Sequence, residues 1–152
     1  MRVVGCGGRV GINDIGAWAV LEALGRKVFH PDLAVAEGHA PGYDRVIGAW
    51  ARKNRHHLDV FRVDPLLDGY RDDAPKQRNI RMFNEFRPTH CLGFPGGPGT
   101  RHMMDHCYAH GVPVWDVDFN GPGRFQVWEW AIRIKGQPQR GGASGLIIEG
   151  QY

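Results

Sequence analysis

Along the first three quarters of the chain, short apolar runs alternate with longer stretches of helical periodicity. Residues 2–6 (RVVGC) form a β-rich run stopped by Gly7 and Gly8, and from about residue 14 to 25 the apolar positions Ile15, Ala19, Leu21 and Leu24 predict a helix. Residues 33–36 (LAVA) are a buried-strand candidate, followed by a helix over 43–54 with Val46, Ile47, Trp50 and Ala51 on one face. Residues 58–63 (LDVFRV) alternate like a third strand. The turn-rich DPLLDGYRDDAP then leads into a helix over 75–86 with proline at its start. A strand over 89–94, a helix over 100–110 and a strand over 112–117 complete five strands and four helices. Parallel strands need crossover helices, so the expected fold is a Rossmann-like α/β domain: a mainly parallel sheet of five or more strands with helices on both faces.

After Asn120 the pattern changes. NGPGR reads as a loop, FQVWEWAIRI as a β-strand or a short helix, KGQPQRGGASG as too rich in Gly, Pro and polar residues to pack, and LIIEGQY as an edge strand or partner-binding tail. The expected division is a domain over residues 1–119 and a C-terminal extension over 120–152 that supplies a strand or an oligomer contact, not a second domain.

With 152 residues, 42% hydrophobic and 23% charged, the chain can bury a core without metal or disulfide. Its net charge of +3 is scattered, with no polybasic run to follow a nucleic-acid backbone. Cys6, Cys91 and Cys107 have no zinc-finger spacing and read as reduced core residues. No window is long and apolar enough for a membrane span. A cytoplasmic protein without membrane, nucleic-acid, metal or cofactor partners is expected.

In open parallel sheets ligands sit at the carboxyl ends of strands, which selects residues 7–9, 37–39 and 95–100 as one rim. In that last segment Pro95, Gly96, Gly97, Gly99 and Thr100 form a glycine-rich loop at a helix start, where main-chain N–H groups approach an anion closely. A tight turn that binds nothing is the alternative. Arg78 and Arg81, one helical turn apart, can share a face and hold a phosphate or carboxylate while Asn79 reads a sugar hydroxyl; a solvated basic face is the alternative. Gly7, Gly8 and Arg9 close the rim. His102, His106 and His110 line one helical face and read as a solvated stripe, with Met103 and Cys107 toward the sheet. Trp115, Trp128 and Trp130 read as core or interface anchors.

The ordered set of segments resembles the SLOG superfamily of Rossmann-like nucleotide-binding domains, and within it the YspA-like branch. The likeness runs over roughly residues 1–118: a strand ending in Gly7-Gly8-Arg9, a turn with Gly38, Gly42 and Asp44 before a helix carrying Ala-Trp-Ala, then Arg78-Asn79-x-x-Met82 and Phe94-Pro95-Gly96-Gly97-x-Gly99-Thr100. It implies a nucleotide or nucleotide-sugar ligand, with phosphate on Gly96, Gly97, Gly99 and Thr100, Arg78 and Arg9 in support, and Asn79, Gly38, Asp44 and Glu37 shaping the pocket. It also implies a homodimer or larger assembly, for which the apolar FQVWEWAI segment is the candidate contact. The related lonely-guy (LOG) phosphoribohydrolases carry a similar Pro-Gly-Gly-x-Gly-Thr-x-x-Glu pattern, but their catalytic glutamate position is Met103 here, and His102 stands where the YspA-like branch often has an acid. Methionine neither activates water nor steadies an oxocarbenium-like centre. If the site splits the N-glycosidic bond of a nucleoside monophosphate, the candidate catalytic residues are Glu37 and Arg78, with His102 and Asp105 as further substitutes; Glu37 as a hydrogen-bond acceptor for ribose or a loop amide is the alternative. A non-catalytic nucleotide sensor or sequestering module is the rival reading.

Overall fold

The structure, a computed structural model, describes residues 1–134, 137–140 and 145–152. Five parallel strands, β1 (Arg2–Cys6), β2 (Ala34–Glu37), β3 (His57–Val60), β4 (His90–Gly93) and β5 (Val114–Asp118), lie in the order β3-β2-β1-β4-β5. Between them run α1 (Asp14–Lys27), α2 (Tyr43–Lys53), α3 (Pro65–Asp68), α4 (Ala74–Phe86) and α5 (Pro98–Ala109). The Rossmann-like arrangement follows from the burial pattern. β1, β2 and β4 are covered on both faces and are almost continuously buried. Val3, Val35 and Leu92 pack with Leu21 and Leu24 of α1 and Ile47 and Trp50 of α2. Their neighbours Val4, Ala36 and Cys91 pack on the opposite face with Met82 and Phe86 of α4 and Met103 and Cys107 of α5. β3 is the polar edge, carrying His57 and Asp59, which suits a strand with an unpaired side.

The extension adds strands to this sheet. β6 (Arg124–Ile134) is antiparallel to β5 and, over its first half, to β8 (Leu146–Gln151). It is a strand, with Phe125 and Val127 alternating into the core. These side chains and Trp130 are buried within the chain at 2%, 0% and 5% exposure, while Trp128 of the same segment is half-buried. Trp115 is likewise a core residue. Where an unpacked stretch is expected, Gln137–Arg140 form β7, antiparallel to the second half of β6; residues 135–136 and 141–144 of that stretch lie outside the described residues. α3 interrupts the segment expected as a loop. Asp64 caps it by accepting from Leu66 N–H at 3.0 Å, and Pro65 occupies its first turn.

Cys6, Cys91 and Cys107 are buried and free, and hydrogen bonding by Cys107 and Cys6, then burial, pushes the Cys91 thiol well above its ordinary range. Among the described residues, no helix is long and apolar enough to cross a membrane.

Candidate functional site

The sheet order reverses between β1 and β4, and the loops leaving these strands meet there. Phe94 N–H donates to the Cys6 carbonyl and Gly8 N–H to the Pro95 carbonyl, each at 2.9 Å. Contact is so close at Gly96 that a Cβ there would lie 2.2 Å from Thr100 Oγ1 and 2.7 Å from Gly8 N. α2 joins the same knot through Tyr43 N–H, which donates to the Gly8 carbonyl at 3.2 Å.

α5 begins at this knot with its first turn uncapped. Gly97 is the N-cap and has no side chain to accept a bond, Pro98 has no N–H, and the first capped intrahelical bond is Arg101 N–H to the Gly97 carbonyl at 3.0 Å. The amides of Gly99 and Thr100 are therefore helix-start donors at the positive end of the helix dipole. A Cβ on Gly97 or Gly99 would meet no protein atom within 4 Å, so both glycines present open backbone.

That backbone faces a cleft of about 280 Å³. It is lined by Gly7, Gly8 and Arg9 after β1, Gly38 and Asp44 after β2, Arg78 and Asn79 of α4, and Gly97, Gly99 and Thr100 at the start of α5. The carboxyl ends of β1, β2 and β4 thus bring the predicted segments to one place. Pro95 and Gly96 instead border a neighbouring cavity, together with Arg101, Asp116 and Trp130. Met82, the last residue of the Arg78-Asn79-x-x-Met82 segment, also lines the main cleft, as do Ala40 and Pro75, which as apolar residues without a motif carry no sequence signal for a site.

Arg78 is only 6% exposed. It donates through Nη1 to the carbonyls of Gly38 and of Phe61, the latter at 3.1 Å, and through Nε to Asn79 Oδ1 at 3.1 Å. Burial pulls its pKa down, while the carboxylates of Asp44, Asp68 and Glu37 pull it up. Asn79 bridges α4 to α5, donating to the Gly99 carbonyl at 3.3 Å and lying 3.3 Å from His102 Nδ1. Arg81 does not share the Arg78 site: it pairs with Asp68 at 2.9 Å and donates to the Arg62 carbonyl, which turns it to α3.

Of the carboxylates considered from sequence, Asp44 lines the cleft and Glu37 does not. Asp44 accepts from Ala40 N–H at 3.1 Å; burial raises its pKa, and the Ala40 amide and Arg78 oppose that rise. Glu37 is 1% exposed, lies against α2 near Gly48, and accepts from the His39 amide at 2.6 Å. Its contacts fit the loop-amide alternative. Burial raises its pKa to about 7. Met103 is fully buried in the core, and Asp105 pairs with Arg101 at 2.9 Å on the surface. The histidine face of α5 is only partly solvated: His110 is exposed but His102 and His106 are half-buried, and Phe83 of α4 meets the His106 ring edge-on at 4.8 Å and the His110 ring at 5.1 Å. Among the described residues no group of three or more His, Cys, Asp or Glu is placed to hold a metal.

Comparison with known proteins gives three findings. No curated protein matches the chain. Among solved structures, UDP-GlcNAc 2-epimerase from Neisseria meningitidis, bound to UDP-GlcNAc, is similar at 13% identity and a TM-score of 0.49; the match covers 80% of this chain but 33% of the epimerase, so the chain spans about a third of that protein's length. Residues 1–66 match the family model of the YspA, cpYpsA-related SLOG family. That match falls on β1, the Gly7-Gly8-Arg9 turn and the Gly38 to Asp44 segment, so this first part of the chain is similar to the YspA-like branch of the SLOG proteins.

Proposed function

We propose that the cleft binds a nucleotide or nucleotide-derived ligand and that its phosphate sits on the uncapped first turn of α5, against Gly97, Gly99 and Thr100, with Arg9 and Arg78 supplying positive charge. The carrying observation is that uncapped turn: its donors and the open faces of its two glycines look into a cleft bordered by two arginines. Asp44 and Gly38 lie where a sugar attached to that phosphate would extend. Isothermal titration with nucleoside monophosphates, ADP-ribose and cyclic nucleotides tests the reading, and no heat with any of them rejects it.

Gly97→Ala is a sharper test of the phosphate position. The new methyl meets no protein atom and the φ of −96° suits alanine, so stability should change by less than about 1 kcal/mol. The methyl would occupy the anion's approach, and affinity for the best-binding monophosphate should fall about ten-fold or more, as expected when a charge-assisted hydrogen bond is lost. Unchanged affinity places the phosphate elsewhere.

Capture without cleavage is the reading the side chains favour. The position of the LOG glutamate is a core methionine, and Glu37 lies off the cleft, where it positions the His39 amide. One observation favours a hydrolase instead: Asp44 is a buried carboxylate in the cleft with a raised pKa, a trait of acid–base groups. Chromatography after long incubation with the nucleotide panel separates the two. Intact nucleotide is expected; released base that disappears in Asp44→Asn assigns an N-glycosidase.

A further inference from the structure

Just outside the wall formed by Gly38 and Arg78 lies a positively charged corner with no part in the site described so far. β2 ends at Glu37, and the chain then turns through Gly38 and His39, the latter at φ 58°. β3 leaves the sheet beside it: Phe61 N–H donates to the Glu37 carbonyl at 2.9 Å, which sets Arg62 next to this turn. On α2, Arg45 and Arg52 are seven residues apart, two helical turns, and so share one face. Arg52 reaches back over Gly48, its Nη1 about 3.5 Å from where a Gly48 Cβ would be, at the same distance as Glu37 Oε1. Partial loss of hydration and then the charges of Arg62, Arg45 and Arg52 hold His39 below its ordinary pKa, so all three guanidinium groups act on this one ring.

None of the three arginines has an ion-pair partner within 4.0 Å among the described residues. All three are exposed, whereas Arg81 and Arg101 are paired with Asp68 and Asp105. The nearest carboxyl, Glu37, is buried beneath the cluster and titrates near neutrality, so it leaves most of that positive charge uncompensated. Gly38 lines the cleft and His39 follows it directly, which makes the cluster continuous with the phosphate site through a single residue. This is the carboxyl end of the second strand, the region where Rossmann-type domains meet the hydroxyl edge of a ribose.

We infer that Arg45, Arg52 and Arg62, grouped about His39, form a second anion subsite, so that the ligand is a nucleoside bisphosphate with its 5′-phosphate on the α5 turn and a 2′- or 3′-phosphate on the arginines. The inference rests on the nucleotide reading of the cleft. A guanidinium group matches a phosphate in a fork of two N–H donors, and several on one anion give the charge-assisted bonding that a monophosphate cannot use.

Isothermal titration of the full chain with the 5′-monophosphates, 2′,5′-bisphosphates and 3′,5′-bisphosphates of adenosine, guanosine, cytidine and uridine tests it. For at least one base, a bisphosphate should bind about ten-fold or more tightly than its monophosphate. In the combined Arg45→Gln, Arg52→Gln, Arg62→Gln variant that gain should disappear while monophosphate affinity stays. A control variant, Arg26→Gln, Lys27→Gln, Arg87→Gln, removes equal charge elsewhere and should keep the gain. Equal binding of mono- and bisphosphates overturns the subsite but leaves the cleft reading in place. Loss of the gain in the control as well makes it a diffuse field effect and also overturns the subsite. No binding by any monophosphate or bisphosphate overturns both readings.

Discussion

Replacing Arg78 by methionine is expected to destabilise the fold by about 3–5 kcal/mol, the usual cost of breaking a buried charged network by removing one partner. Methionine keeps the aliphatic bulk but leaves the Gly38 and Phe61 carbonyls and Asn79 Oδ1 without their donor. It also takes a positive charge from beside Asp44 and Glu37, both buried. Arg78 thus links the exits of β2 and β3 to α4 before any ligand arrives. The close fit shows in Gly38, where a Cβ would lie 2.6 Å from the Arg78 guanidinium carbon. Arg78→Lys should recover only part of the loss, since one ammonium cannot copy a planar fork shared among acceptors on separate segments. Urea unfolding reads the effect. A methionine variant within about 1 kcal/mol of the parent, on the scale of ordinary surface substitutions, would show that Arg78 serves the ligand alone.

The parts of the fold that the sequence shows best are those buried on both faces. β1, β2 and β4 read as uninterrupted apolar runs because helices cover them above and below. β3 is harder to delimit: it is expected at 58–63 and spans His57–Val60, because its exposed edge tolerates polar residues and weakens the period. β7 is invisible to pattern reading, as QPQR has neither apolar alternation nor β-propensity. Its strand state comes from pairing with β6, Pro138 opposite Arg133, and proline is compatible with a strand having a neighbour on one side only. α3 falls in a segment expected as a loop, because a single turn is too short for periodicity to register.

The site divides in the same way. Backbone-built parts were legible, because glycines at strand ends have few other reasons to cluster, and the loops at 7–9 and 95–100 do meet. Side-chain direction was less so. Glu37 was expected to open into the cleft from the end of β2, yet it has the same strand parity as Val35, which packs toward α1 and α2, whereas Ala34 and Ala36 face α4 and α5. Parity alone therefore directs Glu37 to α2. For Arg78 and Arg81 the helical spacing permits a shared face, and the deciding factor was Asp68, a partner on an element the pattern had not resolved.

Glu37→Gln is expected to make the protein more stable at pH 8 by about 3 kcal/mol, the free-energy equivalent of raising a carboxyl from 4.5 to about 7. Glutamine keeps an oxygen to accept the His39 amide bond but has no charge to desolvate. The sign follows from proton binding. Between pH 4.5 and about 7 the folded state holds a proton on Glu37 that the unfolded state has released, so this group's contribution to stability is full below pH 4.5, falls as pH rises through that window, and is gone above it. His39, His90, His102 and His106 act in the opposite sense, since each is held below its ordinary value and folding loses stability as pH drops past that value. The parent's own pH profile therefore mixes the two. The difference between variant and parent removes His90, His102 and His106 but not His39, whose ring lies 3.9 Å from the Glu37 carboxylate, and it should grow from near zero at pH 4.5 to its full value at pH 8. Urea unfolding of both proteins across that range measures it. A difference that stays flat with pH would mean that Glu37 keeps an ordinary carboxylate pKa, held ionised by Arg52 and Arg78 despite its burial.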